Sequence, residues 1–146
     1  MDKDWLARYR RLEAGDYPPD RAVYDEAEPV RWRALTLGVS DSIARHLAHD
    51  PSVAVRVTLA GRTRLDGEAM LDLAYDADAR VRRALACRTD LSDEARARLA
   101  QDTDPDVLDA LGDMERAMIV RLMPAPPTPP APPSDWRTRL GLRPGA

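Results

Sequence analysis

A stretch of 26 residues occurs twice in succession, and that repetition limits the fold more than any single motif. Asp50–Tyr75 set above Asp76–Gln101 is identical at twelve of 26 positions. The matches are Asp50/Asp76, Val55/Val81, Arg56/Arg82, Leu59/Leu85, Ala60/Ala86, Arg62/Arg88, Thr63/Thr89, Leu65/Leu91, Glu68/Glu94, Ala69/Ala95, Leu73/Leu99 and Ala74/Ala100. A third copy opens at Asp102 and keeps Asp104, Val107, Ala110 and Leu111 in step. Upstream, Val39, Ser40 and Leu47-Ala48 match Leu65, Asp66 and Leu73-Ala74, whereas Val30–Leu35 fits only with a residue or two deleted. About four units result, degenerate at both ends.

Each unit reads as two short helices. Asp50-Pro51 and Asp104-Pro105 place a capping aspartate before a first-turn proline, which has no N–H to leave unpaired. Val55 and Leu59, like Val81/Leu85 and Val107/Leu111, stand four apart on one helix face, and Gly61 gives a stop. The second helix starts at Ser40, Asp66 or Ser92, with buried stripes Val39-Ile43-Leu47, Leu65-Ala69-Leu73 and Leu91-Ala95-Leu99. Helices of about eight residues do not persist alone, so unit must stack on unit. The expectation is all-α: a short α-solenoid with a 26-residue period and a Pro-rich C-terminal extension.

The pattern Leu-Ala-x-Asp-x-x-x-x-Val-Arg-x-x-Leu-Ala-x-Arg-Thr-x-Leu at Leu73–Leu91 resembles the leucine-rich repeat variant family, a branch of HEAT-like helical solenoids. The resemblance covers roughly Val30 to Met123. It implies alternating α- and 3₁₀-helices wound into a right-handed superhelix, and no common activity. The founding type carries a cysteine-rich iron–sulfur segment, for which this chain, with Cys87 alone, has no ligands.

Domain organisation follows. Residues 1–27, with Trp5, Tyr9 and Leu12 at helical spacing and Arg8, Arg10 and Arg11 on the other face, form an N-terminal cap. Units occupy 28–49, 50–75, 76–101 and 102–123, the last ending in an apolar helix (Met114, Ala117, Met118, Leu122) that closes the array. Seven of the ten residues 124–133 are proline, a polyproline-II spacer reaching roughly 30 Å. Residues 134–146 carry Trp136, Leu140, Leu142 and Arg143, which either fold back on the array or dock on a second protein. Leu140–Arg143 is faintly similar to the tail peptides that load cargo into encapsulin shells. Pro126-x-x-Pro129 and Pro129-x-x-Pro132 could also serve as groove ligands.

Charge sorts the functions. Lys+Arg number 22 and Asp+Glu 25, for a net −3, which argues against a polycation for nucleic acid or anionic membrane. Residues 102–123 hold two arginines and six acids, a repulsive end for DNA. Four columns alternate in sign between units (Arg64/Asp90, Asp72/Arg98, Arg80/Asp106, Arg83/Asp109), as inter-unit ion pairs would. Asp50, Asp76 and Asp102 read as helix N-caps, with Arg56 and Arg82 in a structural Asp–Arg ladder beside them. Arg62 and Arg88, each before a threonine and with no acidic column opposed, either grip a partner's phosphate or carboxylate or cap helix carbonyls. Arg31, Arg56 and Arg82 complete a phosphate-binding alternative.

Enzyme chemistry finds little footing. His46 and His49 lack an evident third metal ligand, and Cys87 reads as a small packed residue with no histidine in its unit. No Gly-rich phosphate loop or nucleophilic triad occurs. The expectation is a non-enzymatic, cytoplasmic scaffold or adaptor, without cofactor or metal, that binds protein partners. Arg62, Arg88, Trp136, Leu140, Leu142 and Arg143 are its candidate contacts, and nucleic acid is the alternative partner.

Overall fold

The computed structural model describes residues 4–123. Ten α-helices and no strand are found among them. They are α1 (Trp5–Glu13), α2 (Pro19–Ala22), α3 (Glu28–Leu37), α4 (Asp41–Leu47), α5 (Val53–Ala60), α6 (Gly67–Ala74), α7 (Ala79–Ala86), α8 (Asp93–Leu99), α9 (Pro105–Leu111) and α10 (Met114–Leu122). The chain is all-α. Packing skips alternate helices: α1 lies on α3, α3 on α5, α5 on α7 and α7 on α9, while α4 lies on α6 and α6 on α8. No helix among the described residues is long and apolar enough to cross a membrane.

Local chemistry explains the starts. Ser52, Asp78 and Asp104 cap α5, α7 and α9, each side chain accepting a backbone N–H of the first turn. Asp66 and Ser92 do the same for α6 and α8 through Ala69 and Ala95, and Ser40 holds the equivalent position before α4. The reading of Asp50, Asp76 and Asp102 as N-caps is therefore corrected by two residues. Each instead accepts the N–H two positions on, from Ser52, Asp78 and Asp104, and so shapes the turn before the cap. Pro51 lies in that turn, whereas Pro105 opens α9.

The resemblance implied 3₁₀ turns in alternate elements, but α4, α6 and α8 are α-helical. Their first i→i−4 bonds close well, with Ala44 N–H on Ser40 at 2.9 Å and Arg96 N–H on Ser92 at 2.9 Å. Gly61 ends α5 at φ −85°, an ordinary right-handed value, and Cys87 ends α7 in the same place. Gly38 differs: its φ of 107° is open only to glycine, and it turns the chain directly from α3 toward α4.

Burial follows the columns. Val30, Val55, Val81 and Val107 are fully buried, as are Leu59 and Leu85 and the trio Leu47, Leu73 and Leu99. Each such leucine contributes roughly 1.5–3 kcal/mol by leaving water. At the N-terminus, Leu12 is buried while Trp5 and Tyr9, edge to face at 6.4 Å, pack against the core.

The last helix departs from expectation. Only Ala117 of α10 is buried; Met114 is 74% exposed and Leu122 78%, with Met118 and Ile119 also open. A single turn through Gly112 (φ 93°) leads α10 back antiparallel along α9, which it covers with its small residue rather than its large ones. Of the apolar residues expected to close this end, Ala117 packs inward, while Met114, Met118 and Leu122 stay on the surface.

Candidate functional site

Four rungs of one ion-pair ladder run through the junctions between helices. Arg31 donates from Nε and Nη2 to the two carboxylate oxygens of Asp50 at 2.7 and 3.1 Å. Arg56 makes the same fork on Asp76 at 2.7 and 3.2 Å, and Arg82 on Asp102 at 2.7 and 3.3 Å. Arg8 makes it on Asp25, at 2.7 and 3.1 Å. The remaining Nη1 reaches back to the preceding rung's backbone: Arg31 to the Asp25 carbonyl, Arg56 to that of Asp50, Arg82 to that of Asp76. Burial pushes the Asp102 carboxyl up, but the Arg82 fork and the Asp104 N–H outweigh it and hold it below the ordinary carboxylate range. The fork geometry is the reason arginine, not lysine, occupies these positions.

Arg31, Arg56 and Arg82 are thus engaged internally, with carboxylate partners almost fully buried, and present no free fork to a phosphate. Arg8 is corrected as well. It is the first rung of the ladder and not part of a solvated basic face.

Arg62 and Arg88 do not form an exposed ridge. Arg88 is 7% exposed at its side chain; its Nη1 donates to the carbonyls of Ala60, at 2.9 Å, and Arg62, and its Nη2 donates to Asp90. Those carbonyls lie at the C-terminal end of α5, where no intrahelical N–H is available. Arg62 reaches the carbonyl of Val39 in the same manner, with Asp41 at 3.9 Å. Both arginines cap backbone ends in the preceding unit, so the partner-gripping reading loses its groups.

The alternating charge columns pair elsewhere. Asp90 takes Arg88, Asp72 takes His49 at 3.3 Å, Arg80 turns to its neighbour Asp78, and Asp106 and Asp109 share Arg121. Arg98 lies over the Tyr75 ring at 4.8 Å. Side chains lean across the junction, so a partner falls short of one full period: 20 residues away in Arg56–Asp76 and Arg82–Asp102, and 21 in Arg45–Asp66. Comparing residues 26 apart misses that stagger. Asp66 is held below the usual carboxylate range, first by the Ala69 N–H that it caps.

One row stays open. Tyr24, His49, Tyr75 and Gln101 each immediately precede a ladder aspartate, and all four are exposed, Tyr24 by 61% and Tyr75 by 64%. Each of the first three leans on a side chain one unit ahead: Tyr24 on His46 (ring centroids 4.8 Å), His49 on Asp72, Tyr75 on Arg98. A shallow groove between His49 and Tyr75 is lined by Ala48, Ala77 and the Arg56–Asp76 rung. The signal in the sequence was the residue before each repeated aspartate, which differs in identity from unit to unit and so escaped an identity search.

His46 and His49 are separated by these contacts, and no trio of His, Cys, Asp or Glu among the described residues is arranged to hold a metal. Cys87 is exposed, not packed, because a helix-ending position turns its side chain outward. Trp136, Leu140, Leu142 and Arg143 lie outside the described residues, as does the 124–133 spacer. Comparison with family models, curated proteins and solved structures returns no match.

Proposed function

We propose that this chain is a non-enzymatic interaction module, a scaffold or adaptor built as a short right-handed α-solenoid of the leucine-rich repeat variant kind. The observation that carries this reading is how the polar groups are distributed. The arginines that could have gripped phosphate are closed on the protein's own carboxylates and carbonyls. Among the groups that stay open are a row of planar side chains on one edge and the apolar residues of α10. Such surfaces recognise polypeptide and perform no bond chemistry. Trp136, Leu140, Leu142 and Arg143 supply a second contact, through which the module is tethered to a partner or a larger cytoplasmic assembly.

The nucleic-acid alternative calls on Arg31, Arg56 and Arg82, whose forks the ladder already occupies. The test compares the full chain with its Trp136→Ala/Leu140→Ala variant as baits in host lysate, with and without nuclease. Loss of a specific protein with the variant, insensitive to nuclease, is the expected result. Identical recovery by both baits, abolished by nuclease, would replace this reading with the nucleic-acid one.

A further inference from the structure

Helices α3, α5, α7 and α9 pack in succession, and three observations make their exposed sides neighbours. Trp32 on α3 donates its indole N–H to the Thr58 hydroxyl on α5 at 2.9 Å. One cleft is lined by Gly61, at the end of α5, together with Ala84 and Cys87 of the α7 unit. A second is lined by Arg83 and Cys87 with Asp106, Asp109 and Ala110 of α9. Cys87 belongs to both clefts, so the surface is continuous from α5 to α9.

Two columns of the repeat lie on this surface, and they change character together. Residues 26 apart read Ala54, Arg80, Asp106 in one column and Val57, Arg83, Asp109 in the other. The surface is therefore apolar on α5, basic on α7 and acidic on α9. Trp32, 39% exposed, extends the apolar end onto α3, where Arg33 is taken by Glu13 at 3.1 Å.

Internal pairs do not cancel the charges. Arg80 is neutralised by Asp78, and Arg121 lies between Asp106 and Asp109. Among the described residues, that leaves the exposed Arg83 without an acid and the α9 pair with one negative charge over. The two line the same cleft and are not bonded to each other. A cation and an anion held apart on the walls of one cleft complement a segment that offers an acid and a base in the matching order. Trp32, already fixed by its bond to Thr58, is a pre-organised aromatic anchor for an apolar side chain.

We propose that this surface receives a segment of another protein whose side chains run apolar, then acidic, then basic, from α3 toward α9. The apolar group lies against Trp32 and Val57, the carboxylate meets Arg83, and the cation meets Asp106 and Asp109. The small side chains of Ala84, Cys87 and Ala110 leave room for its backbone. A phosphate backbone fits poorly, because it would have to cross the acids of α9. The inference rests on reading the chain as a protein-interaction module, and it specifies the chemistry of one partner.

The test uses the full chain and two fluorescein-labelled synthetic peptides of identical composition. One carries leucine, glutamate and lysine blocks in that order, and the other has the two charged blocks exchanged. By fluorescence anisotropy the first should bind about tenfold more tightly, with the gap narrowing as salt is added. The thiol of Cys87, the one cysteine in the chain, should react with a maleimide more slowly when the first peptide is bound. Trp32→Ala should weaken both peptides alike. Arg83→Glu combined with Asp106→Arg leaves Asp109 to hold Arg121, and it should reverse the preference between the peptides. Equal affinity for the two peptides, or an unreversed preference in the charge-exchanged variant, overturns the proposal. So does a Cys87 thiol already shielded before peptide is added, since the chain itself or a second copy then fills the cleft. Displacement of the first peptide by single-stranded oligo(dT) overturns it in favour of nucleic acid. The lysate comparison through Trp136 reads a different contact, so the two readings fail separately.

Discussion

Arg56 holds two units at once: its Nε and Nη2 fork both oxygens of Asp76, and its Nη1 clasps the Asp50 carbonyl at 2.7 Å. The same arrangement around Arg31 and Arg82 makes each rung depend on the one before it. A fault in one rung should therefore be felt by both neighbours.

Asp76 is almost fully buried against its arginine. Its replacement by alanine leaves an uncompensated buried guanidinium and is expected to cost about 3 kcal/mol. Urea unfolding of Asp76→Ala, Arg56→Met and the double variant would measure the coupling, expected at about 1–3 kcal/mol. Strict additivity would mean that the rung does not join the units.

Acid should weaken the fold in a defined window. Arg80, through its side chain and then its backbone N–H, lowers the Asp78 carboxyl to about 2, against about 3.9 in an unfolded chain. Because the folded value is the lower, its contribution is complete above about pH 4 and disappears as pH falls through about 2. Asp102, also lowered, acts in the same direction. The urea midpoint should be flat between about pH 5 and 7 and fall below about pH 4, less steeply in Asp78→Ala. A midpoint that rose on acidification would contradict the assignment.

Two glycines should respond oppositely to alanine. A Cβ on Gly61 would meet nothing closer than the Thr58 carbonyl at 3.7 Å, and Cys87 already occupies the equivalent site. Gly61→Ala should be neutral or stabilising by up to about 1 kcal/mol. Gly38, at φ 107°, should lose about 1–2 kcal/mol with alanine. Thermal melts of the two variants distinguish them directly.

The exposed side of α10 should tolerate polarity. Met118→Glu is expected to change stability by less than about 0.5 kcal/mol, as for other surface positions. Leu85→Ala, in the fully buried column, should cost about 2–5 kcal/mol. A large loss for Met118→Glu in dilute solution would show that α10 is covered in the native protein.

Arg88 offers a last test. Arg88→Met removes the donors from the Ala60 and Arg62 carbonyls and should cost about 1–3 kcal/mol. Hydrogen exchange would place the loss at the α5–α6 turn. Unchanged protection there would mean that water caps those carbonyls equally well.

Much of this was legible in the sequence, and the rest depended on how units sit on one another. The valine and leucine columns, the caps at Asp66, Ser92 and Asp104, and the closeness of Arg56 and Arg82 to an aspartate column follow from periodicity, because burial and capping are local and repeat with the chain. Carbonyl capping by Arg62 and Arg88 was one of the two roles their positions offered, but that the capped carbonyls belong to the preceding unit, the exchange of Arg98's expected acid for the face of Tyr75, and the exposed row from Tyr24 to Gln101 did not follow. A long side chain ends wherever the stagger between stacked helices places a partner, and that stagger is set by packing, not by the repeat length. The same holds for α10: its apolar residues promised a buried lid, but the tight turn at Gly112 directed Ala117 inward and left the methionines outside.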